Sequence, residues 1–219
     1  MTVPQPLAAL AHQRILAMII DGRLKSGSLL QEAALGEAFG MSRTPVREAI
    51  KRLEGDGLAV ADGRFIRVRS LTPEDIEEIF FLRLQLEPLA ARAAVRLPPA
   101  QIEAMEARVR QLMASEPSGL NDLQRATDHD FHQFLAQAYG NAAISRSISE
   151  LQRRTCVFDY SQVPDRLMRG CHEHLEILDL LRAGDADAVE AALRSHLINA
   201  RDAVLQRLRT APDQTAEEG

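Results

Sequence analysis

Four side chains that can bind a divalent metal ion lie on predicted helices in the second half of the sequence. In "ATDHDFHQFL", Asp128 and His132 are four residues apart, so they share one face of a helix. His174 lies in "CHEHLEIL" and His196 in "LRSHLINA", each beside leucines that predict a buried stripe. One carboxylate and three imidazoles on the inward faces of three helices are typical of metal sites in helical bundles. We therefore predict a bound divalent metal ion, with Zn²⁺ first and Ni²⁺, Mn²⁺ or Fe²⁺ as alternatives.

Other residues near this set leave alternatives open. A single histidine on an apolar helix face is more often a core or interface residue than a ligand, but four ionisable groups are costly to bury unpaired. Asp130 is the alternative to Asp128, although its position lies nearly across the helix from the histidine. We expect His129 and His172 to be exposed. Cys171 is either a soft ligand or a buried free thiol.

Arg83 and Asn199 are the candidate contacts for an organic effector. Arg83 and Glu87 lie in the apolar stripe of one predicted helix, together with Ile79. One explanation is a structural ion pair. The other is that Arg83 binds a carboxylate ligand with two hydrogen bonds, next to the metal. The sequence does not choose between these explanations, and we predict Asn199 as a second effector contact.

A cationic ridge lies near the N-terminus, in "SRTPVREAIKRL". Arg43, Arg47 and Lys51 follow one another at every fourth position, opposite an apolar stripe that includes Val46 and Ile50. Most charge runs are solvated helix faces, but this stretch holds one acid. Arginine on a helix of this kind can bind guanine O6 and N7 in the DNA major groove. We predict that Arg43, Arg47 and Lys51 bind DNA.

The elements around this ridge predict a winged helix-turn-helix. Helices are expected at Leu7–Asp21 and Gln31–Phe39, with a third beginning at Ser42 or Thr44. The stretch "LAVADGRFIRVRS" alternates on both sides of Asp62-Gly63, which predicts a β-hairpin. Residues 1–70 carry a net charge of +3 and residues 71–219 a net charge of −8. Only the first part is therefore expected to meet a polyanion.

The remainder reads as an all-helical domain, with helices predicted near 73–96, 99–115, 119–139, 141–163, 165–183 and 185–209. Short connections between them predict an antiparallel bundle. The expected fold is mainly α, with an N-terminal winged helix-turn-helix that carries a small β-hairpin wing and a C-terminal antiparallel bundle of six α-helices. The expected domains are 1–70 for DNA binding and 71–212 for metal, effector and dimerisation, followed by a frayed tail at 213–219.

Composition restricts the cellular setting. The longest apolar run, Ile15 to Ile20, is too short to span a membrane. The N-terminus lacks the charged region and apolar core of a secretory signal. Two cysteines, Cys156 and Cys171, are expected to be free thiols in a reducing compartment. We therefore expect a cytoplasmic protein with no membrane association.

The stretch "LGEAFGMSRTPVREAIKRLEGDGL" is similar to the helix-turn-helix signature of GntR-family bacterial regulators. The segments "DHDFH", "GNAAI", "HEHLEIL", "AGDADAVEAAL" and "SHL" resemble the effector domain of the FCD (FadR C-terminal domain) type. The resemblance extends over about residues 8 to 210. Six effector-domain helices resemble the shorter, VanR-like branch. The sequence departs from some relatives at Ala33, where they place a DNA-contacting arginine, and in its short wing.

This resemblance implies a homodimeric regulator, a repressor first, that binds a palindromic operator in double-stranded DNA and responds to a small carboxylate. The family's ligand pattern corresponds to Asp128, His132, His174 and His196, and its DNA-reading positions correspond to Arg43, Thr44, Arg47 and the wing-tip Gly63. Two alternative functions remain. A metalloenzyme would need a further general acid or base, and none stands out. The other alternative is a DNA-binding dimer that binds no metal and whose histidines have only a structural role.

Overall fold

The computed structural model of this chain describes residues 6–115, 120–155, 158 and 163–210. The described chain is mainly α-helical, as predicted, and forms two compact units. One comprises Met1–Leu71 with Arg153–Asp159, and the other comprises Thr72–Gln152 with Tyr160–Gly219. The tail at 213–219 and Cys156 lie outside the described residues. No helix in the described ranges combines the length and the apolar character needed to cross a membrane.

The first unit contains α1 (Leu7–Ile20), α2 (Glu32–Phe39) and α3 (Arg43–Gly55). α3 packs against α1 and α2 through an apolar face that is fully buried, and its core side chains are Val46, Ala49, Ile50 and Leu53. The turn between α2 and α3 depends on two glycines. Gly40 adopts a left-handed conformation (φ 65°) that ends α2, and a Cβ at Gly36 would lie 2.9 Å from the Met41 carbonyl oxygen.

The predicted hairpin is present as β1 (Ala59–Asp62) and β2 (Phe65–Val68), paired antiparallel with Asp62 opposite Phe65. The two-residue loop is Gly63-Arg64, so the turn lies one residue later than a loop centred on Asp62-Gly63. Gly63 has a φ of 60°, and no non-glycine residue in the described chain has a positive φ. Glycine at the first loop position suits the hairpin turn that needs one positive φ.

The second unit contains α4 (Pro73–Ala93), which continues into a 3-10 turn at Ala94–Arg96, then α5 (Pro99–Met113) and α6 (Leu120–Ala138). These are followed by α7 (Ala142–Thr155), whose last three residues are assigned to the first unit, and then by α8 (Pro164–Ala183) and α9 (Ala186–Thr210). The six predicted helices are therefore present. α7 ends at Thr155, earlier than predicted, and the sequence from there to Pro164 has no glycine or proline that marks a helix end.

α4 starts with a capping box and contains an internal proline. The Thr72 side chain accepts from the Asp75 backbone N–H, and the Asp75 carboxylate accepts from the Thr72 N–H. Proline has no N–H, so Pro88 leaves the Leu84 carbonyl without its helical donor. Arg194 of α9 donates to this carbonyl instead, at 2.9 Å. An arginine from a neighbouring helix thus completes the hydrogen bonding of α4.

Three helices bring their apolar faces together where the predicted ligands lie. α9 packs against α4 and α8, while α6 packs against α4 and α5. The inward side chains are almost completely buried, and they include Phe131 and Leu135 of α6, Ile177 and Leu178 of α8, and Leu193 and Leu197 of α9. Phe131 stacks on the His174 ring with centroids 3.8 Å apart. α6, α8 and α9 therefore present their polar inward residues to one place in the bundle.

Candidate functional site

The four predicted ligand residues come together in the second unit. One ligand atom from each of Asp128, His132, His174 and His196 lies within 4.8 Å of the others. Nε2 of His196 is 3.3 Å from Nε2 of His174 and 3.3 Å from Nε2 of His132. Oδ1 of Asp128 is 3.8 Å from Nε2 of His132 and 3.7 Å from Nε2 of His174. We call these four residues the histidine–aspartate cluster.

The spacing and protonation of the cluster fit a bound cation. Atoms bound to tetrahedral Zn²⁺ at about 2.0–2.1 Å lie about 3.3 Å from one another. Nδ1 of His132 and of His196 each face a carboxylate oxygen, so in the neutral rings these nitrogens carry the protons. Their Nε2 atoms are then acceptors that cannot hydrogen-bond each other, whereas a shared cation satisfies both. The residues present therefore fit a divalent ion.

Burial keeps two of the histidines in the form that binds metal. Burial lowers the pKa of His174 well below its ordinary value, and a positive charge on His196 or His132 would lower it further. Burial also lowers the pKa of His196, against the contact with Glu173, which raises it. Both rings are therefore neutral at neutral pH, and neutral imidazole is the metal-binding form. Asp128, whose side chain is 51% exposed, leaves the cluster open on one side.

A cavity of about 70 Å³ adjoins the cluster and is lined by two arginines. Arg83 reaches it from α4 and Arg166 reaches it from α8, and both residues are buried. Asn199, the other predicted effector contact, is not among the lining residues. It is exposed and donates to Glu173 at 2.8 Å. Sequence reasoning missed Arg166, although Arg166, Gly170 and His174 follow one another at every fourth position of α8.

Arg83 takes part in an ion pair as well as lining the cavity. Its Nε donates to Oε1 of Glu87 at 2.5 Å, and its Nη2 lies 3.5 Å from Nε2 of His132. Burial would raise the pKa of Glu87, but the charge of Arg83 and the contacts with Arg83 and His132 outweigh it and hold that pKa at about 2. The structural and the ligand-facing explanations of Arg83 are therefore compatible, because one guanidinium has five N–H donors.

The alternative ligand residues do not belong to the histidine–aspartate cluster. Asp130 pairs with Arg108 rather than joining the cluster. His172 is exposed, as expected, whereas His129 is half-buried, and neither belongs to the cluster. Cys171 is buried and lines the cavity, but it is outside the set of converging ligand atoms.

In the first unit, α3 presents the cationic ridge opposite its buried face. Arg43, Thr44, Arg47 and Lys51 are all exposed. The sequence places one acid within the stretch that carries the ridge, but Glu32 of α2, outside that stretch, pairs with Arg47 through two hydrogen bonds. The contact with Arg47 lowers the pKa of Glu32, so the pair persists at neutral pH. The fold thus brings together residues that lie 15 positions apart.

The wing is short and its tip is exposed. Gly63 and Arg64 form the tip, and the Arg64 guanidinium lies over the Phe65 ring at 4.9 Å. Arg67 pairs with Asp62 across the hairpin and also donates to the Gly27 carbonyl. The wing therefore uses one of its two arginines to hold the hairpin against the loop after α1.

Comparison with known proteins places the two units in one family. Residues 7–64 match "Bacterial regulatory proteins, gntR family", and residues 78–200 match the FCD domain. The HTH-type transcriptional repressor RspR of Escherichia coli is 29% identical over 222 residues, covering 98% of this chain and 96% of that protein.

Two solved structures show the same fold. Escherichia coli McbR/YncC has a TM-score of 0.80 at 22% identity, covering 93% of this chain and 99% of that chain. The metal-free FCD domain of TM0439 has a TM-score of 0.55 at 16% identity, covering 65% of this chain and 99% of that chain. The family and the relatives are regulators of transcription and not enzymes. This chain therefore belongs to the GntR family of bacterial regulatory proteins, carries an FCD domain, and is a DNA-binding transcriptional regulator.

Proposed function

We propose that this regulator is a metal-containing repressor that binds a palindromic operator as a homodimer and responds to a small organic acid. Asp128, His132, His174 and His196 would hold the ion, which is Zn²⁺ first among the divalent metals that suit imidazole and carboxylate ligands. Arg43, Thr44, Arg47 and Lys51 would contact DNA, with Gly63 at the tip of the wing. The similarity to RspR, named as a repressor, supports the sign of regulation.

The observation that carries this proposal is a four-ligand cluster beside a cavity with two arginines. A bound divalent ion supplies a Lewis-acidic position that a carboxylate can occupy. Arg83 and Arg166 supply guanidinium donors at the same cavity, and guanidinium binds carboxylate in a fixed geometry. An organic acid would therefore be recognised by its charge at two points. Asp128, as the exposed ligand, gives it access from solvent.

The acid would act on DNA binding through the bundle. α6, α8 and α9 each contribute to the cluster, so a ligand there bears on the packing of three helices at once. An effector changes DNA affinity only by its differential affinity for two arrangements of the protein. Such coupling is typically about 1–3 kcal/mol, which corresponds to a change in operator affinity of roughly 5- to 150-fold.

We propose that the chain forms a dimer because operator recognition favours two copies and because α4 has an exposed apolar face. One recognition helix reads only a few base pairs, and two half-sites at fixed spacing extend the reading. Phe81, Leu82 and Leu89 are large apolar residues of α4 with exposures of 63%, 44% and 42%. A second copy of the chain would cover this face. Phe81→Glu should convert the dimer to a monomer in light scattering, and an unchanged dimer would exclude this face.

The decisive experiment measures metal, acid and operator on one preparation. An operator is first selected from random DNA with the wild-type protein. The affinity of the protein for this operator is then measured by fluorescence anisotropy in the presence of each of a panel of two- to six-carbon acids, with neutral sugars as controls. His174→Ala should remove the metal and the acid response together, while operator binding without acid stays within about twofold. If the variant loses the metal but still responds normally to the acid, the proposed effector mechanism is wrong.

The second candidate is a DNA-binding dimer whose histidines are structural. The contacts of His132 with the buried Glu87 carboxylate and of His196 with the partly buried Glu173 carboxylate favour it, because these contacts alone would hold the rings. Elemental analysis of protein purified without a His tag separates the two. About one divalent ion per chain supports the metal-containing regulator, and a metal-free preparation that takes up no added Zn²⁺ supports the structural alternative.

A further inference from the structure

Two glutamates outside the histidine–aspartate cluster each contact one of its histidines. Oε2 of Glu87 lies 2.5 Å from Nδ1 of His132, and both residues are almost fully buried. Neither atom has a well-aligned hydrogen bond among the described residues, so this short ion-pair contact is the polar interaction that faces each of them. Likewise, Oε2 of Glu173 lies 2.7 Å from Nδ1 of His196. Each contact reaches the ring nitrogen that points away from the cluster.

The same two glutamates each hold one of the arginines that line the cavity. Glu87 accepts from Arg83, as described above, through its other oxygen. Glu173 accepts from Nη2 of Arg166 at 2.5 Å, and Asn199 donates to its second oxygen. In each of two places, therefore, one carboxylate joins one cavity-lining arginine to one histidine. Glu87 uses a different oxygen for each partner, whereas Glu173 uses Oε2 for both.

This arrangement fixes how the two rings present themselves. A carboxylate only accepts hydrogen bonds, so an imidazole nitrogen that faces one carries the proton. Nδ1 of His196 also lies 3.1 Å from the Nη2 donor of Arg166, but its contact with Glu173 is shorter, at 2.7 Å, and we assign the proton to Nδ1 on that contact. The lone pair of Nε2 then points into the cluster, where the other Nε2 atoms lie. Carboxylates placed in this way orient histidines that bind metal and raise their basicity. Deleting such partners typically weakens metal binding about 10- to 100-fold.

We propose that Glu87 and Glu173 are positioning residues, each of which aligns one histidine for the metal and one arginine for the anionic effector. This inference rests on the proposed metal site. It adds that the orientation of the metal ligands and of the effector arginines depends on the same two carboxylates. Asn199 then has an indirect part, because it holds Glu173 rather than the effector.

The test measures Co²⁺ binding to the purified full-length protein, in whichever oligomeric state it is obtained. Bound metal is first removed by dialysis. Glu173→Gln and Glu87→Gln keep the side-chain size and remove the second acceptor oxygen. Glu176→Gln is the matched control, because Glu176 lies on the same helix and is exposed. Affinity is measured by competition with a chelating dye, and the visible spectrum of bound Co²⁺ reports the ligand geometry. Circular dichroism without metal checks that each variant folds.

We expect Co²⁺ affinity to fall about 10- to 100-fold in Glu173→Gln, with an altered spectrum, and to stay within twofold in Glu176→Gln. Glu87→Gln should behave like Glu173→Gln. If Glu87→Gln does not fold because its site is buried, Glu173→Gln decides alone. Wild-type affinity and spectrum in Glu173→Gln would overturn this inference while leaving the metal site intact. A wild-type protein that binds no Co²⁺ would overturn the metal site and this inference together.

Discussion

Arg47 of α3 and Glu32 of α2 are joined by two parallel hydrogen bonds. Nε of Arg47 donates to Oε1 of Glu32 at 2.7 Å, and Nη2 donates to Oε2 at 2.8 Å. Arginine has five N–H donors, so this pair engages two of them and fixes the plane of the guanidinium. An arginine that uses two N–H groups to bind a carboxylate can still donate its remaining N–H groups to a guanine. The pair therefore prepares Arg47 for the DNA contact proposed here.

Arg47→Ala should weaken operator binding by about 1–3 kcal/mol and relax base preference at one operator position. The measurement is fluorescence anisotropy against the selected operator and its single-base variants. Lys51→Ala is the comparison, because a lysine that contacts phosphate supports all sequences alike. Its loss should weaken operator and non-specific DNA equally and reduce the salt dependence. Unchanged operator affinity in Arg47→Ala would place the DNA-reading surface elsewhere.

Glu32→Ala should reduce the ratio of operator affinity to non-specific affinity, because Arg47 loses its orientation. If Glu32 acted only as a negative charge near DNA, its removal would raise both affinities equally. Glu37→Ala is the control, since Glu37 is an exposed acid of the same helix. A constant ratio in Glu32→Ala, with Arg47→Ala defective, would show that Arg47 reads DNA without help from Glu32.

Chelation should lower the thermal midpoint of the metal-loaded protein, because the proposed ion joins α6, α8 and α9. At a free metal concentration of 100 Kd, binding contributes about 2.7 kcal/mol of stability. For a chain of this size that corresponds to roughly 5–10 °C. Differential scanning calorimetry with EDTA, followed by re-addition of Zn²⁺, is the check. His174→Ala should show no shift with EDTA, and an equal shift in that variant would locate the metal at another site.

Arg194→Met should destabilise the second unit by about 0.5–1.5 kcal/mol, because the Leu84 carbonyl loses its donor. Pro88→Ala restores a backbone N–H at the position that normally donates to this carbonyl. In the Pro88→Ala background, Arg194→Met should therefore have a smaller effect. Urea unfolding of the four proteins in this double-mutant cycle gives the coupling. Equal effects of Arg194→Met in both backgrounds would assign its stabilisation to the Glu190 ion pair instead.

Cys171 should resist alkylation in the folded protein. Burial, with a smaller contribution from Asp128, raises the pKa of its thiol to about 11. The thiolate is the reactive form, so reaction with iodoacetamide at pH 8 should be slow and should rise with pH towards 11. Peptide mass spectrometry of the Cys171 peptide measures the rate, and protein unfolded in guanidinium is the control. Rapid labelling at pH 8 would show that the cavity opens readily to solvent.

The sequence alone determined the elements and the residue types at the site. Periodicity of apolar residues, the caps at Thr72 and Gly40, and the Gly63 turn are local signals, so the helices and the hairpin could be predicted. Asp128 and His132 share a helix turn, and their relation is also local. The boundary of α7 was missed because no glycine or proline follows Thr155 until Pro164.

Only the tertiary structure decided which distant residues meet. Glu32 and Arg47, Pro88 and Arg194, and Glu173 and His196 lie on different helices, so no spacing in the sequence connects them. The sequence left open whether Arg83 pairs with Glu87 or faces a ligand, and the fold places it in both relations. Arg166 rather than Asn199 lines the cavity, because the packing of α8 against α9 sets which side chains face inward. Local patterns specify the elements, whereas helix packing specifies the partners.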